Sequence, residues 1–160
     1  MIFTYFYKTI IGNIAISSSD DFITTIKFLK EAADSIVARD STVFKETTTI
    51  KDTHRQLEEY LHGKRKNFDI KMKQNGTDFQ QKVWKVLMDI PYGETCSYKD
   101  VAIAVGNPKA CRAVGMANNR NNLPILVPCH RVIGSNGGLV GYAGRLDIKL
   151  KLLELEKKYR

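Results

Sequence analysis

The sequence predicts an α+β fold with two domains: a small N-terminal domain built on an antiparallel sheet, and a mainly helical C-terminal domain that contains a helix-turn-helix. Two observations predict this arrangement. Segments rich in Ile, Phe, Tyr and Thr alternate with short polar turns over the first 28 residues, as in a strand meander. From residue 77 onwards, apolar residues instead recur at helical spacing. We place the boundary near residue 75, which gives domains of residues 1–75 and 76–160.

The N-terminal domain is predicted to contain three strands and two helices. The predicted strands are residues 2–8, 11–18 and 22–28, and the predicted helices are residues 31–39 and 51–62. His54 and His62 lie on the second helix, eight residues apart, with no third ligand in view. We therefore expect surface or capping residues and not a metal site.

Capping signals mark the helices of the C-terminal domain. Thr77 and Gln80 form a capping box at the start of a helix that the Pro91-Tyr92-Gly93 segment ends. Ser97 caps a second helix, which stops at Gly106. Both helices have a regular apolar face, so we expect them to pack against the core of this domain.

A third helix is predicted to have Pro108 in its first turn and to run to about residue 117. The residues expected on its packed face are Ala110, Ala113, Val114 and Ala117, and those on its other face are Lys109, Arg112 and Met116. The second and third helices, joined by a tight turn, resemble a helix-turn-helix. Such a unit either reads DNA or serves as a packing motif.

Positive charge is concentrated in the second half of the chain. The formal net charge is +8, and residues 101–146 contain five cations and no acidic residue. The cations are Lys109, Arg112, Arg120, Arg131 and Arg145. A segment of one sign is typical of a surface that faces a polyanion, because phosphate contacts release counterions. A solvated basic face would have the same composition, so charge alone leaves both interpretations open.

The candidate nucleophile lies in residues 126–133, an apolar run interrupted by Pro128, Cys129, His130 and Arg131. The β-branched run predicts a buried strand, and Pro128 removes a backbone donor from it, which places Cys129 at an interruption. A thiol beside cationic or basic groups is a candidate nucleophile. Neighbouring strand side chains point to opposite faces, however, and from these residues alone an inert buried cysteine is favoured.

The cysteines and the N-terminus indicate the cellular compartment. Cys96, Cys111 and Cys129 have neither paired nor metal-binding spacing, which argues against a disulfide framework and a zinc ribbon. No leader-like segment opens the chain, and no apolar run is long enough to span a bilayer. We therefore expect a cytoplasmic protein without membrane association.

The last predicted helix, residues 147–159, buries Ile148, Leu152 and Leu155. Glu156 borders that apolar face. It is either a surface charge paired with Arg160 or a partly buried carboxylate that needs a partner such as His130.

Three segments of the C-terminal half form a distinctive joint pattern. They are Phe79-Gln80-x-x-Val83-Trp84-x-x-Leu87-x-x-Ile90-Pro91-Tyr92-Gly93-x-Thr95-x-Ser97-Tyr98, Arg112-Ala113-Val114-Gly115 and Pro128-Cys129-His130-Arg131-Val132-Ile133. Together they resemble the O6-alkylguanine-DNA alkyltransferase family. The resemblance covers essentially all of residues 76–156 and is weak over residues 1–75. It implies a ribonuclease H-like N-terminal domain and a winged-helix-like C-terminal domain.

The resemblance implies direct DNA repair, in which an alkyl group moves irreversibly from guanine O6, or less well from thymine O4, to Cys129. It implies that His130 acts as a base through a bridging water, that Glu156 orients His130, and that Asn121 braces the turn beside the site. The protein would be consumed, one molecule per lesion. We expect a monomer that binds alkylated double-stranded DNA and needs neither a cofactor nor a metal.

The resemblance also implies how the base is reached. Arg112 would enter the base stack from the minor groove in place of the flipped nucleotide, and Tyr98 would help to rotate that nucleotide. The other implied positions are DNA contacts at Lys99, Asn107 and Ser135, and pocket residues Val132, Tyr142, Ala143 and Gly144. The chain departs from the family pattern at Asn119, Asn122 and Arg145, where relatives often have glycine, proline and glycine.

Two other classes of protein would also contain parts of this pattern: a non-catalytic lesion-binding relative and a thiol-based redox sensor. A non-catalytic lesion-binding relative would replace the cysteine, so the presence of Cys129 argues against that class. A thiol-based redox sensor would use Cys96 and Cys111 as well, and a reversible disulfide would support it. We expect Arg131 to have a structural role.

Overall fold

The computed structural model describes residues 1–29, 42–138 and 145–160. Two sets of predictions lie outside the described residues: the helix at residues 31–39, and the pocket residues Tyr142, Ala143 and Gly144. The described chain forms two compact units, Met1–Gln74 and Asn75–Arg160. Both contain helices and strands, and the predicted α+β class is confirmed. Among the described helices, none is long and apolar enough to cross a membrane.

In its described residues, the first unit is a four-stranded sheet with one helix against it. Its elements are β1 (Ile2–Thr9), β2 (Gly12–Ser19), β3 (Phe22–Leu29), β4 (Thr42–Phe44) and α1 (Thr48–Leu61). The strand order is β3-β2-β1-β4, with antiparallel pairs except for the parallel pair β1 and β4. The predicted meander is therefore correct. The three-residue strand β4 was not predicted, because so short a segment has no readable alternation.

The second unit is mainly helical. Its elements are α2 (Asp78–Met88), β5 (Cys96–Ser97), α3 (Tyr98–Ala104), α4 (Cys111–Asn119), β6 (Val132–Ile133) and α5 (Leu146–Lys158). Capping boxes start two of the helices, at Thr77 for α2 and at Ser97 for α3. The helix α4 packs against α2 and α3, and α3 and α4 are the two helices of the predicted helix-turn-helix.

The third predicted helix was placed slightly wrongly. It begins at Cys111 and not at Pro108, and it continues to Asn119, past the predicted end near residue 117. A turn precedes the helix, in which the Asn107 carbonyl accepts from the Ala110 N–H. The Ala110 carbonyl then accepts the first bond of the helix, from the Val114 N–H. Of the predicted packed face, Val114 and Ala117 are buried, but Ala113 is exposed. A small side chain at that position is thus a feature of the outer surface.

The segment that carries Cys129 is not a strand, which corrects the sequence prediction. Residues Cys129–Arg131 form one turn of 3₁₀ helix, and only β6 after it is extended, in parallel pairing with β5. Pro128 has no N–H for a strand ladder, and its carbonyl instead accepts from the Arg131 N–H at 3.0 Å. The Val132 N–H closes the turn onto the Cys129 carbonyl. The objection that neighbouring strand residues face opposite ways therefore does not apply.

Trp84 locks α2 to α4. Its ring is 4% exposed, and its Nε1–H donates to the Ala117 carbonyl at 2.9 Å. Gly76 closes over the ring: a Cβ at that position would lie 2.5 Å from Trp84 Cη2 and 2.7 Å from Gln80 Oε1. The second unit therefore requires glycine at position 76, immediately before Thr77, the N-cap residue of its first helix.

The substitution Gly76→Ala should lower the free energy of unfolding of the second unit by about 1–3 kcal/mol, because the new methyl group overpacks against Trp84. Urea unfolding followed by the fluorescence of Trp84, the sole tryptophan, measures this change. The control is Gly115→Ala, whose Cβ meets only Tyr98 Cε1 at 4.0 Å. Equal midpoints for both variants would contradict the proposed packing constraint.

Candidate active site around Cys129

Cys129 lies on a tightly braced turn. The residue is 3% exposed, and its N–H donates to the Val127 carbonyl at 2.7 Å. Asn121 Nδ2 donates to the same Val127 carbonyl at 2.9 Å, and Asn121 Oδ1 accepts from the Leu123 N–H at 3.0 Å. Asn118 Nδ2 donates to the Cys129 carbonyl at 3.3 Å. Backbone and amide contacts thus hold the thiol-bearing turn on both sides of the proline.

Glu156 on α5 organises the buried polar contacts of the site. It is 1% exposed. Its Oε1 accepts from Arg131 Nε at 2.8 Å and from the Gly93 N–H at 3.0 Å. Its Oε2 bonds His130 Nε2 at 2.5 Å and accepts from Arg131 Nη2 at 3.0 Å. Glu156 is therefore a buried carboxylate that bonds His130, and not a surface charge paired with Arg160. Arg160 Nη2 lies instead 3.8 Å from Glu94 Oε1.

Arg131 has the structural environment expected for it. The side chain forms a bidentate pair with Glu156, and its Nη1 donates to the Ile90 carbonyl at 2.7 Å. Ile90 follows α2, so this guanidinium joins the end of α2, the Cys129 turn and α5. Bidentate geometry is the arrangement in which arginine pairs best with a carboxylate, and lysine could not reproduce it.

His130 is completely buried, and its environment favours the neutral ring. Burial lowers the pKa of His130; the Glu156 carboxylate opposes this, and the charges of Arg131 and Lys149 reinforce it. Because Arg131 already neutralises the Glu156 charge, the effect of burial on the His130 pKa prevails. In a neutral ring, Nε2–H donates to Glu156, which leaves the lone pair on Nδ1. The orientation of His130 therefore makes Nδ1 the nitrogen that can take a proton.

Lys149 is a site residue that the sequence did not reveal. It lies on α5, is fully buried, and its Nζ donates to the Val132 carbonyl at 2.6 Å. Burial lowers the pKa of Lys149, whereas negative charge on Cys129 raises it. A single lysine on α5, a helix that contains several lysines, carries no signal of burial in the sequence. The charge of Lys149 nevertheless lies within electrostatic range of the thiol.

Tyr98 completes the inner part of the site. It is the first residue of α3, it is half-buried, and Lys149 Nζ lies 5.9 Å from its ring centroid. Burial raises the pKa of the Tyr98 phenol, and the charge of Cys129 adds to this effect. The phenol therefore stays protonated at neutral pH and can donate a hydrogen bond. The predicted pocket residue Val132 is fully buried beside this group.

The outer face of α4 is basic and apolar. Its exposed residues are Arg112, Ala113, Met116, Asn119 and Arg120, which recur at helical spacing. The predicted peripheral contacts Lys99, Asn107 and Ser135 are also exposed. Lys109, which was placed on this helix, precedes it. The structure thus separates an exposed face on α4 from a buried group around Cys129.

The other cysteines do not share the environment of Cys129. All three are free. Burial raises the pKa of the Cys96 thiol to about 11, with a smaller contribution from Asp100. Cys111 Sγ lies 3.9 Å from the Pro108 carbonyl at the start of α4. Among the described residues, no group of three His, Cys, Asp or Glu side chains is placed to hold a metal ion.

The fold and the site together define the class of proteins that join a helix-turn-helix to a buried Cys-His-Glu group. The chain belongs to the 6-O-methylguanine DNA methyltransferase family. Residues 78–158 match the model of its DNA binding domain, and residues 2–74 match the model of its ribonuclease-like domain. The resemblance noted in the sequence is therefore confirmed, and it extends to the N-terminal half, where it had been weak.

Named relatives support the same assignment. The chain is 49% identical over 152 residues to the constitutive methylated-DNA--protein-cysteine methyltransferase of Bacillus subtilis, covering 94% of this chain and 92% of the relative. It is 48% identical to the methylated-DNA--protein-cysteine methyltransferase of Methanosarcina acetivorans, covering 94% of this chain and 95% of the relative. Among solved structures, Mycobacterium tuberculosis OGT in complex with DNA is similar with a TM-score of 0.88 and 39% identity, covering 98% and 94%.

The substitution Glu156→Gln should lower the free energy of unfolding by about 3 kcal/mol, because it leaves the Arg131 charge buried without its carboxylate. Denaturant unfolding of the second unit measures the loss. The matched control is Glu154→Gln on the exposed side of the same helix, which removes the same charge and should change stability by less than about 0.5 kcal/mol. A loss in both variants would indicate a general charge effect on α5.

Proposed function

We propose that this protein repairs DNA by transferring the alkyl group of O6-alkylguanine, and less well of O4-alkylthymine, to Cys129. The observation that carries the proposal is the location of Cys129: a buried thiol on a braced turn, next to a neutral histidine held by a buried carboxylate, in a chain of this family. The names of the relatives, methylated-DNA--protein-cysteine methyltransferase, support the same reaction.

The proposed chemical step is one displacement. The Cys129 thiolate attacks the alkyl carbon, the new S–C bond forms as the C–O6 bond breaks, and the bonding electron pair leaves on guanine O6. The thiol loses one proton, and the dealkylated guanine, which stays in the DNA, gains one. The protons therefore balance, and no oxidant or reductant is needed. A thioether has no easy leaving group, and each molecule therefore acts once.

Side chains around the thiol would promote this step in different ways. His130 Nδ1 is the proposed base, acting through a bridging water, and Glu156 fixes the ring orientation that presents Nδ1. Lys149 supplies positive charge that favours the thiolate. Tyr98 is proposed to contact the flipped base, and the pocket wall is assigned to Val132 together with Tyr142, Ala143 and Gly144, which lie outside the described residues. Asn121 is assigned the bracing of the turn.

DNA binding is assigned to the outer face of α4. An exposed arginine next to the small, exposed Ala113 allows the helix to approach a groove closely, as minor-groove binding requires. We assign Arg112 to the gap left by the flipped nucleotide, and Lys99, Asn107 and Ser135 to peripheral contacts. The similar solved structure of Mycobacterium tuberculosis OGT is a complex with DNA, which supports double-stranded DNA as the partner.

Several further features belong to this proposal. We propose that the two functional domains are residues 1–75 and 76–160, and that the reaction resides in the second. We also propose that the protein acts as a cytoplasmic monomer without a cofactor, because transfer to Cys129 requires only residues of one chain. Sedimentation of the free protein tests the monomer.

Incubation with a duplex that contains O6-methylguanine should add one methyl group per protein molecule, located on Cys129. Intact-protein and peptide mass spectrometry measures this. The variant Cys129→Ala should show no addition, whereas the control Cys111→Ala should react fully. Methyl transfer that persists without Cys129 would refute the proposed acceptor.

The substitution Arg112→Ala should slow transfer from duplex DNA by about 10- to 100-fold, because an extrusion cost of a few kcal/mol is no longer offset. Its reaction with free O6-benzylguanine base should be nearly unchanged, since that substrate needs no extrusion. The ratio of the two rates is the measurement. Lys109→Ala removes a nearby cation and should leave this ratio unaltered; equal losses on both substrates for Arg112→Ala would argue against insertion.

A further inference from the structure

Asn118 is buried on the inner side of α4, opposite the exposed face that carries Arg112. It is 3% exposed, and its Nδ2 donates to the Cys129 carbonyl at 3.3 Å. We propose that Asn118 is a positioning residue that couples the DNA-binding helix α4 to the turn that carries the reactive thiol. This inference rests on the proposed function, because it concerns the alignment of Cys129 for transfer.

The hydrogen bonds around the turn show what Asn118 controls. The Cys129 carbonyl accepts from two donors, the Val132 N–H that closes the 3₁₀ turn and the Asn118 amide. On the other side of Pro128, the Val127 carbonyl is held by Asn121, two residues beyond the end of α4. The carbonyls of Val127 and Cys129, one on each side of the proline, are therefore tied to the C-terminal end of α4 and to the turn that follows it. Displacement of α4 would tilt the turn and redirect the Cys129 side chain.

The second amide atom of Asn118 argues against a purely structural role. Asn118 Oδ1 is buried and has no hydrogen-bond partner among the described residues. A buried acceptor without a partner is destabilising, whereas an apolar side chain of the same shape avoids that loss. Leucine would fill this position with similar volume, and the Cys129 carbonyl would keep the Val132 N–H. Packing alone therefore does not favour asparagine, and the donor bond to Cys129 accounts for it.

The test compares Asn118→Leu with the wild-type protein in rate, DNA affinity and thermal stability. We expect the limiting rate of methyl transfer at saturating duplex to fall about tenfold or more, because small misplacement of a reacting group is costly. The apparent dissociation constant for the duplex should stay unchanged, and the melting temperature should be unchanged or higher. Transfer from free O6-benzylguanine should slow by the same factor, since alignment of the thiol matters for both substrates.

Two further variants keep the test decisive. Trp84→Phe removes the Nε1 bond to Ala117 in the same helix and should lower the melting temperature while leaving the limiting rate within about twofold of wild type. Asn118→Ala replaces the leucine variant if that one fails to fold, and the same loss of limiting rate is expected.

The outcomes separate the two levels of inference. A wild-type limiting rate in the Asn118 variants, or a rate that falls only in proportion to lost stability as in Trp84→Phe, would overturn the positioning role. In that case wild-type transfer to Cys129 would still stand. Failure of the wild-type protein to methylate Cys129 would instead refute the proposed function.

Discussion

The buried carboxylate of Glu156 is the constraint on which the second unit depends. An ionised carboxylate with 1% exposure is tolerable only if its oxygens are fully hydrogen-bonded and its charge is compensated. The Arg131 guanidinium, the His130 ring and the Gly93 N–H meet that requirement, and they come from two parts of the chain, the Cys129 turn and the segment after α2. Satisfying one charge therefore fixes α5, the segment after α2 and the Cys129 turn in a single geometry.

The sequence predicted those features that depend on local chemistry. Thr77 and Ser97 start their helices because a hydroxyl and an acid or amide three residues later satisfy free backbone donors, and both capping boxes are present. Features that depend on tertiary contact were missed. The apolar run before Ile133 was read as a strand, since nothing local shows that Pro128 is followed by a 3₁₀ turn. Lys149 shares its helix with the exposed Lys151, and Asn118 precedes the exposed Asn119, so only the folded chain shows that Lys149 and Asn118 are buried.

The helix α4 acts on two surfaces at once. Its exposed residues, with Arg112 and Met116 four positions apart, face away from the core, whereas Val114, Ala117 and Asn118 face inward. The inner face is fixed by Trp84 through Ala117 and contacts the thiol-bearing turn through Asn118. An α-helix of this length is stiff, so a displacement imposed on its outer face reaches the turn without a hinge. Under the proposed function, this gives a physical route by which contact with DNA would be coupled to the position of the thiol.

The charges around Cys129 indicate why a buried thiol can react. With His130 neutral, Arg131 and, in its protonated form, Lys149 provide two positive charges against the single negative charge of Glu156. The enclosed group is thus one positive charge in excess, and transfer of the Cys129 proton to His130 separates charge within the group without changing that net charge. Burial opposes an isolated anion, but here the anion would form close to cations that the fold already buries. The effect of the Cys129 charge on the Lys149 pKa has the matching sign, because the same attraction acts on both partners. Burial keeps the His130 imidazole neutral before the reaction, and the ring becomes a cation only when it takes the thiol proton in the proposed step.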